Sequence, residues 1–248
     1  MNRGIYSTAI GMIGAQRALD VTANNLANAS TSGFKRDGLI FQDTLQREMY
    51  ANGGTGAKVG VLGSGAQAVE EYSVQELGVI SSTNNNFDMA INAPVGMFAV
   101  KVSDTQTSYT RDGALALDDQ RRLVTKTGYP VLDKDGAEIT IPSGPMHVEA
   151  NGEIIVDGKP VAQVGVWVPN SGAKFMKEGE NLFSISGGTA RALDESPIAP
   201  ASLEGSNVNA VESMLDMIKI GRLFELSQKS IQQQDDLMQR LISSLSEQ

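Results

Sequence analysis

In 248 residues the chain has no cysteine, one histidine (His147) and one tryptophan (Trp167). Without cysteine there is no disulfide framework, no thiolate nucleophile and no sulfur-ligated metal site. Any system of nucleophile, imidazole and carboxylate would have to run through His147, whose setting, Pro145-Met146-His147-Val148, reads as an ordinary strand position. Aromatic residues are only 5% of the chain while glycine contributes 26 residues, which favours β-turns over a large aromatic core. No stretch approaches the roughly 18 continuous apolar residues of a membrane span, and no membrane insertion is expected. Basic runs are missing as well. The formal charge is −9, and residues 46–202 carry 12 basic against 19 acidic side chains. A phosphate backbone would find no basic face there, so nucleic acid is not an expected partner. Residues 1–13 lack the compact apolar segment of a cleaved secretory signal, so export would have to use another address.

What is present is organised by period. Near the N-terminus Ile5, Met12, Leu19 and Leu26 recur every seven residues. Near the C-terminus Met217, Phe224, Ile231, Met238 and Leu245 do the same, with Ile220 and Leu241 on the same side. This spacing keeps one apolar stripe facing a partner helix, and it predicts two long terminal helices. Gly4, Gly11 and Gly14 each weaken an isolated first helix by about 1 kcal/mol relative to alanine, so that helix needs neighbours. Asn28 to Gly33 supplies its stop signal, followed by Phe34 as an anchor. Asn209-Ala210-Val211-Glu212 has the pattern of a capping box at the start of the last helix, which would be about 55 Å long if it ran to Leu245. An intramolecular antiparallel helix pair is the plain alternative to packing between subunits.

Between the ends the pattern changes to short β-branched or alternating runs broken by turn pairs: Asp118-Asp119, Asp135-Gly136, Asn151-Gly152 and Asp157-Gly158. Glu153 to Val156 is the clearest hairpin strand. The expected fold is a mainly β central domain, sandwich or barrel-like, with long N- and C-terminal α-helices forming a coiled-coil assembly region. The expected divisions are an N-terminal helix and assembly motif (1–45), a glycine-rich connector (46–67), a β-rich domain (68–200) and a C-terminal assembly helix (201–248). Within these, Phe41 to Tyr50 reads as a short helix, and Asn52 to Lys58 with Gly60 to Gly65 as a loop or extended connector.

No chemical motif survives inspection. Gly54 to Gly60 fails the spacing of a phosphate-binding loop. Asp133-Lys134-Asp135-Gly136 lacks the remaining ligands of a calcium loop and reads as a turn. Tyr109-Thr110-Arg111-Asp112-Gly113 reads as a solvated strand end, and Trp167 as core or subunit contact. No catalytic, cofactor-binding or metal-binding residue is assigned, and no enzyme activity is expected. Disordered ends that order on assembly are expected, because fixing about 60 residues costs on the order of 60–120 kcal/mol of backbone entropy.

Residues 23–36, Ala-Asn-Asn-Leu-Ala-Asn-Ala-Ser-Thr-Ser-Gly-Phe-Lys-Arg, closely resemble the N-terminal signature of bacterial flagellar basal-body rod and hook proteins. The resemblance continues at 109–113, at 122–125 with 128–132, and at Leu203-Glu204-Gly205-Ser206-Asn207-Val208-Asn209, spanning nearly the whole chain. Within the family, the opening Met1 to Tyr6 and the Asn207 to Val211 segment are most similar to the proximal-rod type, with the distal-rod type next. Asn92-Ala93-Pro94-Val95-Gly96-Met97-Phe98 departs from the glycine-bearing turn and paired Phe usual there. The resemblance implies a structural axial subunit of the rod, exported through the flagellar type III apparatus and polymerised with itself and with other rod and hook subunits to carry torque to the hook. It further implies an assembly interface of Ile5, Met12, Leu19, Asn24, Asn25, Leu26, Asn28, Gly33, Phe34, Asn207, Asn209, Met217, Phe224, Ile231, Met238 and Leu245. Asn24, Asn25 and Asn28 would satisfy backbone groups at the end of the first helix, with Leu26 and Phe34 buried against adjacent helices. The competing class is a soluble β-rich binding protein with a coiled-coil oligomerisation handle.

Overall fold

The computed structural model describes residues 3–43, 46–50, 58–63, 66–103 and 106–246. Among them the chain is mainly β, with one helix at each end: α1 (Arg3–Ala27) and α2 (Ala210–Ser246). Two compact units arise, and the chain passes between them repeatedly. Unit 1 collects residues 1–27, 37–72 and 209–248; unit 2 collects 28–36 and 73–208.

In unit 1, α1 and α2 pack along their length. Ile5, Thr8, Met12, Ala15, Leu19, Thr22 and Leu26 of α1 are all buried or half-buried. Two of these positions are polar in name only. The Thr8 and Thr22 hydroxyls donate to the carbonyls of Gly4 and Ala18 four residues back, which leaves their methyl groups for the seam. The first turn of α1 lies at Gln234 of α2: a Cβ on Gly4 would stand 2.7 Å from Gln234 Oε1. From there the inward positions of α2 run back towards Ser213, so the helices are antiparallel. Asn209 caps α2 as its sequence predicts, its Oδ1 accepting from the amides of Val211 (3.1 Å) and Glu212 (3.3 Å).

The rest of unit 1 corrects two expectations. Residues 41–50 are not helical where they are described: the strand Asp37–Asp43 pairs with Ala66–Ser73, and Gln46–Tyr50 pairs with Lys58–Gly63. The expected glycine-rich loop is thus largely antiparallel ribbon where it is described, and Asn52 to Ala57 and Ser64 to Gly65 lie outside the described residues. Local propensity loses here to pairing. Leu39, Ile40 and Phe41 suit a pleated strand, Gly38 lets the Tyr72 ring approach from the partner strand, and Asn25 holds the Asp37 backbone where the strand begins.

Unit 2 is built on an open six-stranded antiparallel sheet in the order Lys174–Gly179, Leu182–Ser186, Thr107–Thr110, Met97–Lys101, Val166–Pro169, Ala190–Ala192. A three-stranded sheet, Met146–Val148, Glu153–Val156 and Lys159–Gln163, and two-stranded ladders complete it. No closed barrel forms among the described residues. The core is aliphatic, as the scarcity of aromatics requires: Ile91, Val100, Leu123, Val131, Ile139, Ile141, Ile154, Val164 and Val166 meet around Phe98 and Met89. His147 is exposed between buried Met146 and Val148, as an alternating strand dictates. Asp133 Oδ1 accepts from the amides of Asp135 and Ala137, which makes its segment a plain turn.

Candidate assembly junction

The segments that lead to the two helices meet inside unit 2. Residues 28–36 follow α1 in the chain, and residues 202–208 precede α2. They are tied to one another directly. Gly33 N donates to Glu204 O (2.8 Å), Asn207 N donates to Phe34 O (3.3 Å), and Arg36 N donates to Asn207 Oδ1 (2.7 Å). Asn207 Nδ2 also donates to the carbonyls of Val74 (2.9 Å) and Glu76 (3.2 Å), so one amide side chain joins three stretches of chain.

Beneath these bonds lies a buried charge cluster. Glu204 accepts from Lys35 Nζ at 2.7 Å through Oε1 and from Arg111 Nε at 2.5 Å through Oε2, and all three side chains are at most 1% exposed. Two cations on one carboxylate would be unstable if the surplus charge were left bare. It is not. Lys35 Nζ also donates to Glu76 O (2.6 Å), and Arg111 donates to the carbonyls of Ile91, Ala93 and Gly96, while Glu204 Oε1 accepts a further bond from Gly78 N (2.8 Å). Arg111 thus grips the 91–96 segment by its backbone.

Electrostatics follows the geometry. Burial lowers the Lys35 pKa by more than its hydrogen bond to Glu204 raises it, and the Arg111 charge lowers it further. Burial acts to raise the Glu204 pKa, but Arg111, the Lys35 bond and the Gly78 amide outweigh it and hold the carboxyl below its ordinary range. The charge centre of the junction is therefore a carboxylate that keeps its charge while buried.

Gly33 and Phe34 complete the junction. Gly33 has φ +66°, and a Cβ there would lie 2.5 Å from the Arg111 carbonyl, so the position requires glycine on both counts. Phe34 is buried, with Lys177 Nζ 3.8 Å from its ring centroid. It packs within the β unit, not against a helix as expected, because residues 28–36 belong to that unit.

The other expected positions fall as follows. Leu26, with Ile5, Met12 and Leu19, is half-buried on the face of α1 towards α2, and Met217, Phe224 and Ile231 are half-buried on α2. Met238 is 40% exposed, and the side chain of Leu245 lies outside the described set. Asn24 and Asn209 are exposed and Asn28 is half-buried. Asn25 does not close the end of α1 but bonds reciprocally with the Asp37 backbone, at 2.8 Å in both directions. Arg111, read from sequence as part of a solvated strand end, is 2% exposed. Lys35, Arg111 and Glu204 were missed because charged residues read one at a time look solvated; the only signal was that each lies in a different one of the family-like segments.

Two terminal helices flank a β insertion, within which the segments adjoining them are tied to one another. Three family models match in register: "Flagella basal body rod protein" over residues 5–35, "Flagellar hook protein FlgE/F/G D1 domain" over 90–159 and "Flagellar basal body rod FlgEFG protein C-terminal" over 199–244. Similar relatives include the flagellar basal-body rod protein FlgG of Buchnera aphidicola subsp. Schizaphis graminum, 31% identical over 96% of this chain and 97% of that one. FlgG of Bacillus subtilis is 30% identical over 98% and 99%, and FlgF of Caulobacter vibrioides 30% over 99% and 98%. The chain belongs to the flagellar basal-body rod protein family, and so to the structural proteins of the flagellar basal body.

Proposed function

We infer that the chain polymerises through its terminal helices into the rod and carries torque from motor to hook. One observation supports this most directly: of twenty large apolar side chains exposed among the described residues, ten lie on α2. Such a helix is apolar beyond what one partner helix can cover, and further helices resolve the excess. On this reading residues 1–45 and 201–248 are the assembly segments, forming a coiled coil of helices from several subunits, and residues 68–200 are a β-rich domain. The partners are further copies, other rod and hook subunits and, during export, the type III apparatus. Ends that fluctuate before assembly suit passage through a narrow channel. Limited proteolysis of the dilute protein checks this last point, with protection expected over roughly residues 60–200 only.

The experiment for the function is Phe224→Asp or Ile231→Asp in a flagellated host whose own copy is deleted. Either charge in the apolar seam should abolish rod assembly and motility while the Trp167 fluorescence of the β unit stays native. Normal rods built from these variants would refute the assignment of assembly to this seam. A small stable oligomer with ligand affinity in residues 70–200 and no effect on rods would favour a soluble binding protein instead.

A further inference from the structure

We propose that residues 196–207 are a closing strap, and that the β unit stays open until Glu204 of that strap reaches Lys35 and Arg111. This goes beyond the rod reading and does not depend on it, because it concerns how one chain folds.

The strap is the last stretch of unit 2 in the chain, and it crosses much of that unit. Ser196 Oγ donates to Val164 O (2.7 Å) and accepts from Val166 N (3.2 Å). Ile198–Pro200 pairs with Met89–Ile91, and Ser202–Glu204 pairs with Ile80–Ser82. Ile198 N donates to Ala150 O (3.0 Å), Gly205 N donates to Val79 O (2.8 Å), and Glu204 O accepts from Gly33 N (2.8 Å). Ser196, Ile198 and Glu204 are each at most 3% exposed. Stretches from residue 33 to residue 166 are thus fastened by this one.

Charge makes the strap a gate and not merely one more pair of strands. Lys35 and Arg111 both precede it in the chain, and among the described residues Glu204 is the acidic side chain that bonds to each of them. Closing the unit before it arrives would bury two cations with no counter-charge, which is strongly unfavourable. Leaving them in water instead leaves their backbone partners unseated: the Glu76 carbonyl, which takes Lys35 Nζ, and the carbonyls of Ile91, Ala93 and Gly96, which take Arg111. Gly78 N likewise has Glu204 Oε1 as its acceptor (2.8 Å). These groups border or belong to the strands Ile80–Ser82, Met89–Ile91 and Met97–Lys101, which carry the core residues Met89, Ile91 and Phe98. The core around them is completed only when the carboxylate is in place. A chain made from its N-terminus therefore keeps its β unit open until residue 204 has been added.

Refolding of the full chain from denaturant, followed by Trp167 fluorescence and by pulsed hydrogen exchange, tests this. Leu123 N and Val131 N donate to Ile139 O and Leu123 O, within the core and not to the strap, whereas Gly33 N and Gly205 N belong to the bonds that the strap makes. All four amides should gain protection in one phase. Glu204→Gln should slow refolding about a hundredfold and change unfolding by less than about twofold, the signature of a contact already made at the rate-limiting step. Should that variant not fold, Glu204→Asp, which keeps the charge and shortens the reach, is read for the same partition between the two rates. Protection of Leu123 and Val131 ahead of Gly33 and Gly205, or a variant that unfolds faster while refolding at the unmodified rate, overturns the gate.

Discussion

The junction in unit 2 and the helix pair in unit 1 treat their costly groups in opposite ways. At the junction three ionised side chains are removed from water, and each is answered within the chain by opposite charge or by backbone carbonyls and amides. In the helix pair the costly groups are apolar, and many are left in water: Val211, Leu215, Leu226 and Leu241 are all more than half exposed. The difference separates groups that the chain satisfies by itself from groups that it leaves in water. Buried charge tolerates no delay in finding a partner, whereas an exposed leucine costs only about 1.5–3 kcal/mol until another surface covers it.

This contrast is broken most severely at the carboxylate. Glu204→Ala would leave Lys35 and Arg111 buried without their counter-charge, and a loss of about 3–5 kcal/mol is expected. Chemical denaturation followed through Trp167 measures it, and a loss within error of zero would mean the cluster is not a lock. Gly33→Ala comes next, since a side chain there is strained by positive φ and collides with the Arg111 carbonyl; about 2–3 kcal/mol is expected by the same measurement. Neither change touches the helix seam directly.

Titration sharpens the same comparison. The lowered Glu204 pKa means that folding favours its charged form, so its contribution is full above the ordinary carboxylate value and is lost as pH falls through the folded value. The lowered Lys35 pKa has the same sign with pH but appears as a cost: it is present while the amine is protonated and is relieved as pH rises from the folded pKa to the ordinary lysine value. Stability of the β unit should therefore fall on acidification and gain an alkaline increment that disappears in Lys35→Met. An unchanged alkaline slope in that variant would assign the effect elsewhere.

The smallest expected effect lies in the helix pair. Among the described residues Gln234 Oε1 is buried without a hydrogen-bond partner where α1 begins, so Gln234→Leu should stabilise the pair by up to about 1 kcal/mol, read as helix signal on heating. A loss would show that the amide is satisfied in solution.

Much of the helix pair was legible in the sequence because helical period is a local property. Ile5, Met12, Leu19 and Leu26 could be placed on one face by counting, and Asn209 could be named as a cap from its own neighbours. The turns at Asp135, Asn151 and Asp157 were readable for the same reason, since their conformations are set within a few residues. The ribbon of residues 37–73 was not readable, because strands such as Asp37–Asp43 and Lys58–Gly63 owe their form to partners distant in the chain.

Periods, turn chemistry and ordered motifs were enough to place the helical ends, the β middle and the family. That Lys35, Arg111 and Glu204 form one cluster, that Phe34 belongs to the β unit, and that α2 continues past the start of α1 emerged only from the folded chain. The physical reason is range. Spacing and capping act over one or two turns of chain, but burial of a charge depends on what arrives from 76 or 169 residues away, as Arg111 and Glu204 do at Lys35.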